Sequence, residues 1–430
     1  MRRIGVILLA IILFFLSFSG SGLGAPFRAP GARGEFVPDE VLVAFRREAN
    51  PHAVARAAGG RVETELQGLG VHVVKVPPHA VRSVIAALSR NPHVEFAEPN
   101  GYLHTFLDPN DPHDNTICYW TSAGSCDAQW AWAKVNAYSA WDVTTGSASV
   151  RVAVVDTGID VGDQNYPWPD YTGHEDIVSC SSRPNPIIRS FVSGESGNDD
   201  NSHGTHVAGT IGACTNNDTG VAGANWAVQL MGVKVLDYSG SGTLTAVASG
   251  IRWSADNGAK VINLSLGTSS RYKTLERAVN YAWNKGAVLA CAAGNDGTAA
   301  RTYPAAYPNC IAVAATDQTD QNDLRADFSN YGADWVDVAA PGVDILSTMQ
   351  DQWDWSFLCW GYGYCEIYEA LSGTSMAAPH VAGLAALVWA RGYCTTNACV
   401  RAKIESTADP IPGTGTYWQR GRVNYYDAVK

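Results

Sequence analysis

Three side chains in the sequence are of the types that together activate a serine for nucleophilic attack. Asp156 follows a buried run in VAVVDTG, His203 opens the apolar stretch HGTHVAG, and Ser375 precedes a longer one in SGTSMAAPHVAG. A serine hydroxyl is a weak nucleophile until a histidine takes its proton, and a buried carboxylate holds that histidine in the productive tautomer. Singly, each residue has an ordinary explanation as a helix cap or a structural residue. Together, in the order Asp, His, Ser with small neighbours, they predict a catalytic triad.

Asn295 is a fourth candidate for chemistry. It ends an apolar run and is preceded by small residues in AAGNDG, residues 292–297. An amide in such a place can donate a hydrogen bond to the oxyanion of a tetrahedral intermediate. The ordinary alternative for an Asn before Asp-Gly is a turn residue. In the company of the other three side chains, we predict that Asn295 is an oxyanion donor.

The elements that position these residues follow a regular pattern from about residue 150 onwards. Apolar, β-branched runs alternate with helical stretches, and the runs lie at 150–158, 228–236, 259–267, 287–295 and 310–317. Continuous apolar strands separated by helices predict an α/β fold with a parallel sheet of about seven strands and helices on both faces. In such sheets functional residues gather at the carboxyl ends of the strands, where Asp156 and Asn295 fall.

The N-terminal part of the chain has a different organisation. Two arginines, an apolar stretch and a small-residue zone predict a secretory signal over residues 1–25, because the apolar run is short for a membrane anchor. After a Pro/Gly-rich link, residues 37–106 predict a small α+β domain without cysteine. Its predicted strands are 37–45, 71–77 and 93–99, and its predicted helices are 52–60 and 80–91.

Composition narrows the classes of partner. An apolar content of 46% with 17% charged residues is typical of a globular protein. The net charge of −11 and the lack of a basic cluster argue against nucleic acid as a partner. Apart from the signal, no segment of the sequence is apolar enough to predict a membrane span.

Ten cysteines in an exported chain predict disulfides. Three pairs are suggested by closeness along the chain, whereas the spacing of the other four cysteines leaves their pairing open. The proposed pairs are Cys118–Cys126, Cys359–Cys365 and Cys394–Cys399 by closeness, and Cys180–Cys214 and Cys291–Cys310 as one arrangement of the remainder.

The motifs DTGID, HGTHVAG, AAGN and GTSMAAPHVAG together resemble the subtilisin-like serine proteases, and within them the thermitase branch. The resemblance runs almost continuously from Pro109 to the C-terminus. It implies that residues 107–430 form a subtilisin-like catalytic domain with the triad and the Asn295 donor. It also implies that His206 and His380, although they lie within these motifs, are structural.

The same resemblance covers the N-terminal domain. Residues 26–106, with a core at about 37–104, resemble the inhibitory propeptide of the family, a small ferredoxin-like domain that is cleaved by its own protease. The end of this segment implies autocleavage between Phe106 and Leu107. The implied product is a secreted, monomeric endopeptidase whose partners are peptide substrates and its own propeptide.

The family resemblance also implies a substrate cleft. Two segments resemble the edges between which an extended substrate pairs as a strand, and a third resembles the wall of the P1 pocket. The edge residues are Gly240, Ser241, Gly242, Ser265, Leu266 and Gly267, and the wall residues are Ala292, Ala293 and Gly294. Small wall residues imply a roomy pocket and a preference for large hydrophobic or aromatic P1 side chains, with which Phe106 agrees.

Calcium is the cofactor that the resemblance implies. The matching ligand positions supply side-chain and carbonyl oxygens, as a hard cation requires, and they are Asp111, Asp176, Cys214, Asn217, Thr219 and Val221. The alternative for Asn217, in Asn-Asp-Thr, is a glycosylation acceptor. The acidic loop 194–202 is shorter than its thermitase counterpart and departs from its pattern, so no second calcium is predicted there.

The Trp/Tyr-rich segment 351–366 has no counterpart in thermitase. The segment lies where the family's loop borders the leaving-group side of the cleft, so the resemblance implies a loop there, and ordinary structural packing is the alternative. Three other functions compete with a broad endopeptidase: a restricted processing protease, a silent binding protein on the same scaffold, and carbohydrate binding through this aromatic segment. Retention of all four catalytic side chains favours the endopeptidase.

Overall fold

The computed structural model describes residues 36–66, 70–101, 129–162, 173–178, 180–317, 324–350 and 367–430. The chain divides into two compact units, Met1–Thr105 and Phe106–Lys430. In the described ranges no helix is both long and apolar enough to cross a membrane.

The first unit has the βαββαβ order of a ferredoxin-like domain, the fold that the family resemblance implied. Its elements are β1 (Phe36–Phe45), α1 (Pro51–Ala57), β2 (Arg61–Leu66), β3 (Val71–Lys75), α2 (Val81–Leu88) and β4 (Val94–Gly101). The sheet is antiparallel with the order β2-β3-β1-β4. Strand β2 was not predicted from the sequence. It is an edge strand in RVETEL whose side chains are mostly exposed, so it lacks the apolar alternation of a half-buried strand.

The second unit contains a seven-stranded sheet in the order β11-β10-β9-β8-β5-β7-β6, with every neighbouring pair parallel. This confirms the predicted α/β fold. The seven strands are β5 (Arg151–Asp156), β6 (Ile187–Ser190), β7 (Gln229–Lys234), β8 (Val261–Leu264), β9 (Val288–Ala292), β10 (Ile311–Thr316) and β11 (Val338–Pro341). An antiparallel pair, β12 (Ile345–Thr348) and β13 (Tyr368–Leu371), lies apart from this sheet.

The helices of the second unit cover both faces of the sheet. They are α3 (Trp130–Lys134), α4 (Ala137–Trp141), α5 (Glu175–Val178), α6 (His203–Gly212), α7 (Leu244–Asp256), α8 (Lys273–Asn284), α9 (Thr374–Arg391), α10 (Asn397–Ser406) and α11 (Tyr425–Val429). On β5, Val152 and Val154 pack in the core with α6 and α9, whereas Ala153 and Val155 pack in the core with α7 and α8. Because successive side chains of a strand point to opposite faces, this double burial explains the unbroken apolar run before Asp156.

Candidate active site

Asp156 and His203 are brought together at the carboxyl end of β5. Asp156 is the last residue of that strand and is completely buried, and its Oδ1 lies 2.7 Å from Nδ1 of His203. The same oxygen accepts a hydrogen bond of 2.8 Å from the backbone N–H of Thr157. His203 begins α6, and its side chain is 26% exposed. The imidazole therefore connects a buried carboxylate to the surface, as a general base must.

The surroundings of His203 favour its protonated form. Burial of the ring opposes protonation, but the charge and hydrogen bond of Asp156, with a smaller contribution from Asp199, outweigh it and raise the pKa of His203 above its ordinary value of 6.5. A stronger base takes a proton more readily from a serine hydroxyl. The arrangement thus supplies a base that is better than a free imidazole.

A buried carboxylate that the sequence analysis did not single out fixes the start of α6. Asp199 accepts hydrogen bonds from the hydroxyls of Thr157 and Thr205, at 2.8 and 2.6 Å, and from the backbone N–H of Thr205 at 2.8 Å. Because Thr157 follows Asp156 and Thr205 follows His203 by two residues, Asp199 ties the two triad segments together. Its position within the acidic loop 194–202 was the only sequence signal.

Lys234, at the end of β7, neutralises part of the negative charge of the same loop. Its side chain is completely buried, and its Nζ lies 2.6 Å from Asp200 and 3.2 Å from Glu195. The ammonium also donates to the carbonyl oxygens of Thr157 and Leu236, at 2.8 and 3.0 Å. A buried charge is stabilised only when it is paired and hydrogen-bonded, and Lys234 meets both conditions. The negative charge of the acidic loop is therefore balanced in part by the ammonium group of Lys234.

Ser375 is the second residue of α9, near the positive end of the helix dipole. Its hydroxyl donates to the carbonyl of Ser265 at 3.3 Å, and the hydroxyl of Ser265 donates to the carbonyl of Ser375 at 2.7 Å. Within the described residues, no hydrogen bond joins this hydroxyl to His203. Catalytic hydrogen bonds are often long without substrate, and a rotation about χ1 redirects a serine hydroxyl.

Asn295 is held in one orientation by Thr374, the residue before Ser375. Its Oδ1 accepts hydrogen bonds from the backbone N–H and the hydroxyl of Thr374, at 2.9 and 2.8 Å. The Thr374 hydroxyl also accepts a bond of 3.0 Å from the backbone N–H of Gly294. Since its oxygen is occupied, Asn295 presents its NH₂ group as the free end, which is the end that an oxyanion requires.

A groove of about 780 Å³ runs past His203. Its lining includes both predicted edge segments, 239–242 and 265–267, so the six predicted edge residues lie on one surface. The predicted wall residues are not part of that lining: Ala292 and Ala293 are buried, and Ala293 packs in the core with α7 and α8.

His206 and His380 lie in the interior. Nε2 of His206 donates to the carbonyls of Ile345 and Glu369, at 2.9 and 3.0 Å, and Nδ1 of His380 donates to that of Met376 at 2.8 Å. Burial lowers the pKa of His206 to about 3 and that of His380 to about 4. Both rings are therefore neutral near pH 7, and neither exchanges a proton there.

Five of the six predicted calcium ligands are described, and they lie in neighbouring segments. Asp176 is buried, its Oδ1 accepts from Nδ2 of Asn217 at 3.0 Å, and its Oδ2 accepts from the backbone N–H of Val221 at 2.8 Å. Cys214 donates its N–H to the carbonyl of Asp176 at 2.7 Å, and the Thr219 hydroxyl donates to the carbonyl of Asn217 at 3.4 Å. In the described ranges no three His, Cys, Asp or Glu side chains cluster as a metal site.

Three of the five disulfides proposed from the sequence are present in the structure. They are Cys180–Cys214, Cys291–Cys310 and Cys394–Cys399. The first joins the segment after Asp176 to the loop of Asn217. The second joins β9 to the residue before β10. The remaining predictions lie outside the described residues: Phe106, Leu107, Asp111, the pairs Cys118–Cys126 and Cys359–Cys365, and the aromatic segment 351–366.

Helices cover both faces of the parallel sheet, and His203 joins the buried Asp156 to a groove, as in subtilisin-type serine proteases. The profile of the subtilase family matches residues 147–425. The chain belongs to the subtilase family. Residues 28–100 match the fervidolysin N-terminal prodomain, so this protease carries a prodomain.

Relatives agree with this assignment. The chain is 42% identical to a thermophilic serine proteinase of Bacillus sp. (strain AK1), over 92% of this chain and 88% of the relative. It is 46% identical to thermitase of Thermoactinomyces vulgaris, over 75% of this chain and 99% of the relative. A solved structure of proteases from Pseudoalteromonas arctica superposes with a TM-score of 0.58 at 31% identity, covering 75% of this chain and 99% of that one.

Proposed function

We propose that this subtilase is a secreted endopeptidase that is made as a zymogen and processes itself, with Asp156, His203 and Ser375 as its triad and Asn295 as oxyanion donor. One observation carries the proposal: the His203 ring joins the buried Asp156 carboxylate, 2.7 Å away, to the groove. The two edge segments of the groove support an extended peptide in strand conformation.

The chemistry follows from these positions. His203 takes the proton of the Ser375 hydroxyl as its oxygen attacks the scissile carbonyl carbon, and later gives that proton to the leaving amine. The oxyanion of the tetrahedral intermediate accepts from the NH₂ group of Asn295, close to the positive end of α9. Water then attacks the acyl-enzyme: His203 takes a proton from the water and gives it to the Ser375 oxygen as the acyl group leaves. Asp156 keeps the imidazole in the tautomer whose Nε2 accepts the proton.

We propose a preference for large hydrophobic or aromatic P1 residues. The family resemblance places the small residues Ala292, Ala293 and Gly294 at the wall of the P1 pocket, where they would leave room for a large side chain. In the structure Ala292 and Ala293 are buried, and none of the three lines the groove described above. Apolar side chains of the groove favour apolar residues elsewhere in the substrate, and they include Leu236, Leu244, Val247 and Leu275. Cleavage of the chain between Phe106 and Leu107 would place an aromatic residue at P1.

The experiment that tests this function uses the secreted full chain. We expect it to digest casein, to be inactivated by a serine-directed phosphonylating agent, and to yield a mature form that begins at Leu107. A mature form beginning elsewhere would refute the cleavage site and remove its support for the P1 preference. A secreted, folded chain that neither cleaves casein nor reacts with the agent would refute the endopeptidase itself.

Calcium is the proposed structural cofactor, and the described residues fit it. The buried Asp176 carboxylate and the Asn217 amide, which donates to it, bring two of the proposed ligand side chains together, and carboxylate and amide oxygens suit calcium. In the loop between Cys214 and Val221, alternate residues have positive φ values: 62° at Asn216, 61° at Asp218 and 58° at Gly220. Bound calcium would cross-link this loop to Asp176 and stabilise the fold.

We therefore predict that chelation of calcium lowers the melting temperature. At calcium 100-fold above its Kd, binding contributes about 2.7 kcal/mol, which corresponds to roughly 5 °C for a domain of this size. Differential scanning calorimetry of the phosphonylated enzyme, which cannot digest itself, measures the shift. Asp176→Asn should abolish most of it, whereas Asp334→Asn, at an exposed carboxylate, should retain it. An equal calcium shift in both variants would exclude this site.

A further inference from the structure

Asn330 belongs to none of the catalytic motifs, yet its side chain forms a fully used hydrogen-bonding centre. The residue is completely buried. Its Oδ1 accepts from the backbone N–H groups of Asp296 and Thr298, at 3.0 and 3.2 Å. Its Nδ2 donates to the carbonyl of Ala293 and the hydroxyl of Thr302, both at 3.1 Å. An amide offers two donors and an oxygen with two lone pairs, so every position of this one is occupied.

These bonds flank the proposed oxyanion donor on both sides. Ala293 lies two residues before Asn295, and Asp296 and Thr298 lie one and three residues after it. The backbone N–H of Asn330 adds a bond of 2.9 Å to the carbonyl of Gly294. The chain from 293 to 298 therefore wraps around the Asn330 amide with Asn295 near the middle of the wrapped segment.

Gly294 shows how closely the two segments approach. Its φ is +101°, and a Cβ placed there would lie 2.5 Å from Nδ2 of Asn330. Glycine therefore meets two requirements at this position, a left-handed backbone and room for the Asn330 amide. The tight contact leaves little freedom for the Asn295 backbone to shift.

The loop that carries Asn330 is itself fixed. The Arg325 guanidinium lies 4.7 Å from the ring centre of Tyr331 and 5.3 Å from that of Tyr417. It also donates to the carbonyl of Ser329 at 2.6 Å, and the Ser329 hydroxyl accepts from the N–H of Ala315 in β10 at 2.9 Å. The loop of Asn330 is thus held to β10 of the central sheet through its neighbour Ser329.

We propose that Asn330 is a positioning residue that places the Asn295 amide for the oxyanion, an inference that rests on the proposed function. Two constraints then act on Asn295: Thr374 sets the direction of its amide, and Asn330 sets the position of its backbone. An oxyanion donor must be held within a few tenths of an ångström, and a misplacement of about 1 Å costs about 100-fold in rate.

The test is a double-mutant cycle between Asn330→Ala and Asn295→Leu on the secreted enzyme. Asn295→Leu should lower kcat by about 10²- to 10³-fold, as loss of an oxyanion donor does. Asn330→Ala alone should lower kcat by about 10- to 100-fold, with KM changed by less than about 3-fold. In the Asn295→Leu background the same substitution should cost less than about 3-fold, because it acts through the missing amide.

Two further measurements separate positioning from simple structural support. The number of phosphonyl groups bound per chain gives the concentration of folded active sites, and kcat is calculated from that concentration. Inhibition by a peptide aldehyde, which forms a tetrahedral adduct, should weaken in parallel with kcat/KM. Asn397→Ala is the matched control, because the Nδ2 of this buried amide likewise donates two hydrogen bonds. Its acceptors are the carbonyls of Trp283 and Ala287, near the end of α8. It should lower the melting temperature and leave kcat unchanged.

The outcomes are distinguishable. Equal losses from Asn330→Ala in both backgrounds, or no loss in either, would overturn the positioning role while leaving the donor in place. No effect of Asn295→Leu would instead show that the donor is wrongly assigned, and the positioning role would fall with it. If Asn330→Ala does not fold, Asn330→Ser, which keeps a polar group in the cavity, is carried through the same cycle with the same criteria.

Discussion

Replacing Ser375 with Ala is expected to lower kcat for peptide hydrolysis by about 10⁶-fold, the loss known for the nucleophile of a related subtilisin. The hydroxyl of Ser375 is the nucleophile in the proposed mechanism, and the neighbouring hydroxyl of Thr374 is engaged in hydrogen bonds with Asn295 and Gly294. Because the chain is proposed to process itself, the variant should also accumulate with residues 26–106 still attached. Rate measurements with a chromogenic peptide and the mass of the secreted product check both expectations.

Ser372→Ala is the matched control for this experiment. Ser372 lies three residues before Ser375, is exposed, and uses its hydroxyl to accept a hydrogen bond of 2.9 Å from the N–H of Asp344. Its loss should leave both kcat and processing within about 2-fold of the parent, as is usual for a surface substitution. Full activity in Ser375→Ala would refute the mechanism. If the purified Ser375→Ala chain is inactive on peptides but is still cleaved after Phe106, self-processing is refuted and the mechanism of peptide hydrolysis is not.

The parts of the fold that the sequence predicted are those in which one local pattern decides the structure. The run before Asp156 is apolar at successive positions because β5 is buried on both faces, and that is readable without knowing the partners. The long helix after Ser375 is similarly recognisable from its apolar residues, which are buried almost throughout. Asp156, His203 and Asn295 stand at the ends of such elements, so their positions followed from the elements.

The residues that the sequence did not predict depend on partners far along the chain. Lys234 looks like a polar interruption in an apolar strand, and its carboxylate partners Asp200 and Glu195 are 34 and 39 positions away. Asn330 looks like an ordinary loop residue in the sequence. Its role could not be foreseen because the segment that it binds begins 37 positions earlier. No spacing rule connects such groups. Only the folded sheet brings them together, and buried polar groups of this kind become evident once their hydrogen bonds are seen.

The exposed edge strand β2 was missed for a different reason. In RVETEL, Val62 is the one apolar side chain before Leu66, and the charged neighbours are exposed. Charged side chains on an edge strand discourage pairing with other chains, but they also remove the alternation by which a strand is recognised. The order βαββαβ therefore emerged only from the pairing of β2 with β3.

The second large effect is expected from Asp156→Asn, which should lower kcat by about 10⁴-fold while leaving the fold intact. The carboxylate accepts the Nδ1–H of His203 at 2.7 Å, whereas an amide at the same place can present its NH₂ group and favour the opposite tautomer. Removal of the charge also takes away what holds the pKa of His203 above 6.5. Circular dichroism of the variant checks that the fold is retained.

The pH dependence separates the two roles of Asp156. In the proposed mechanism His203 acts as a neutral base, so the acid limb of kcat/KM falls at the pKa of that residue, which Asp156 raises from its ordinary value of 6.5. In Asp156→Asn the limb should move to lower pH, because protonation is no longer favoured. Asp256→Asn removes the same charge at a surface carboxylate paired with Arg252 and Lys285, and should leave the limb in place. A loss of rate without movement of the limb would mean that Asp156 acts on the orientation of the imidazole and not on its basicity.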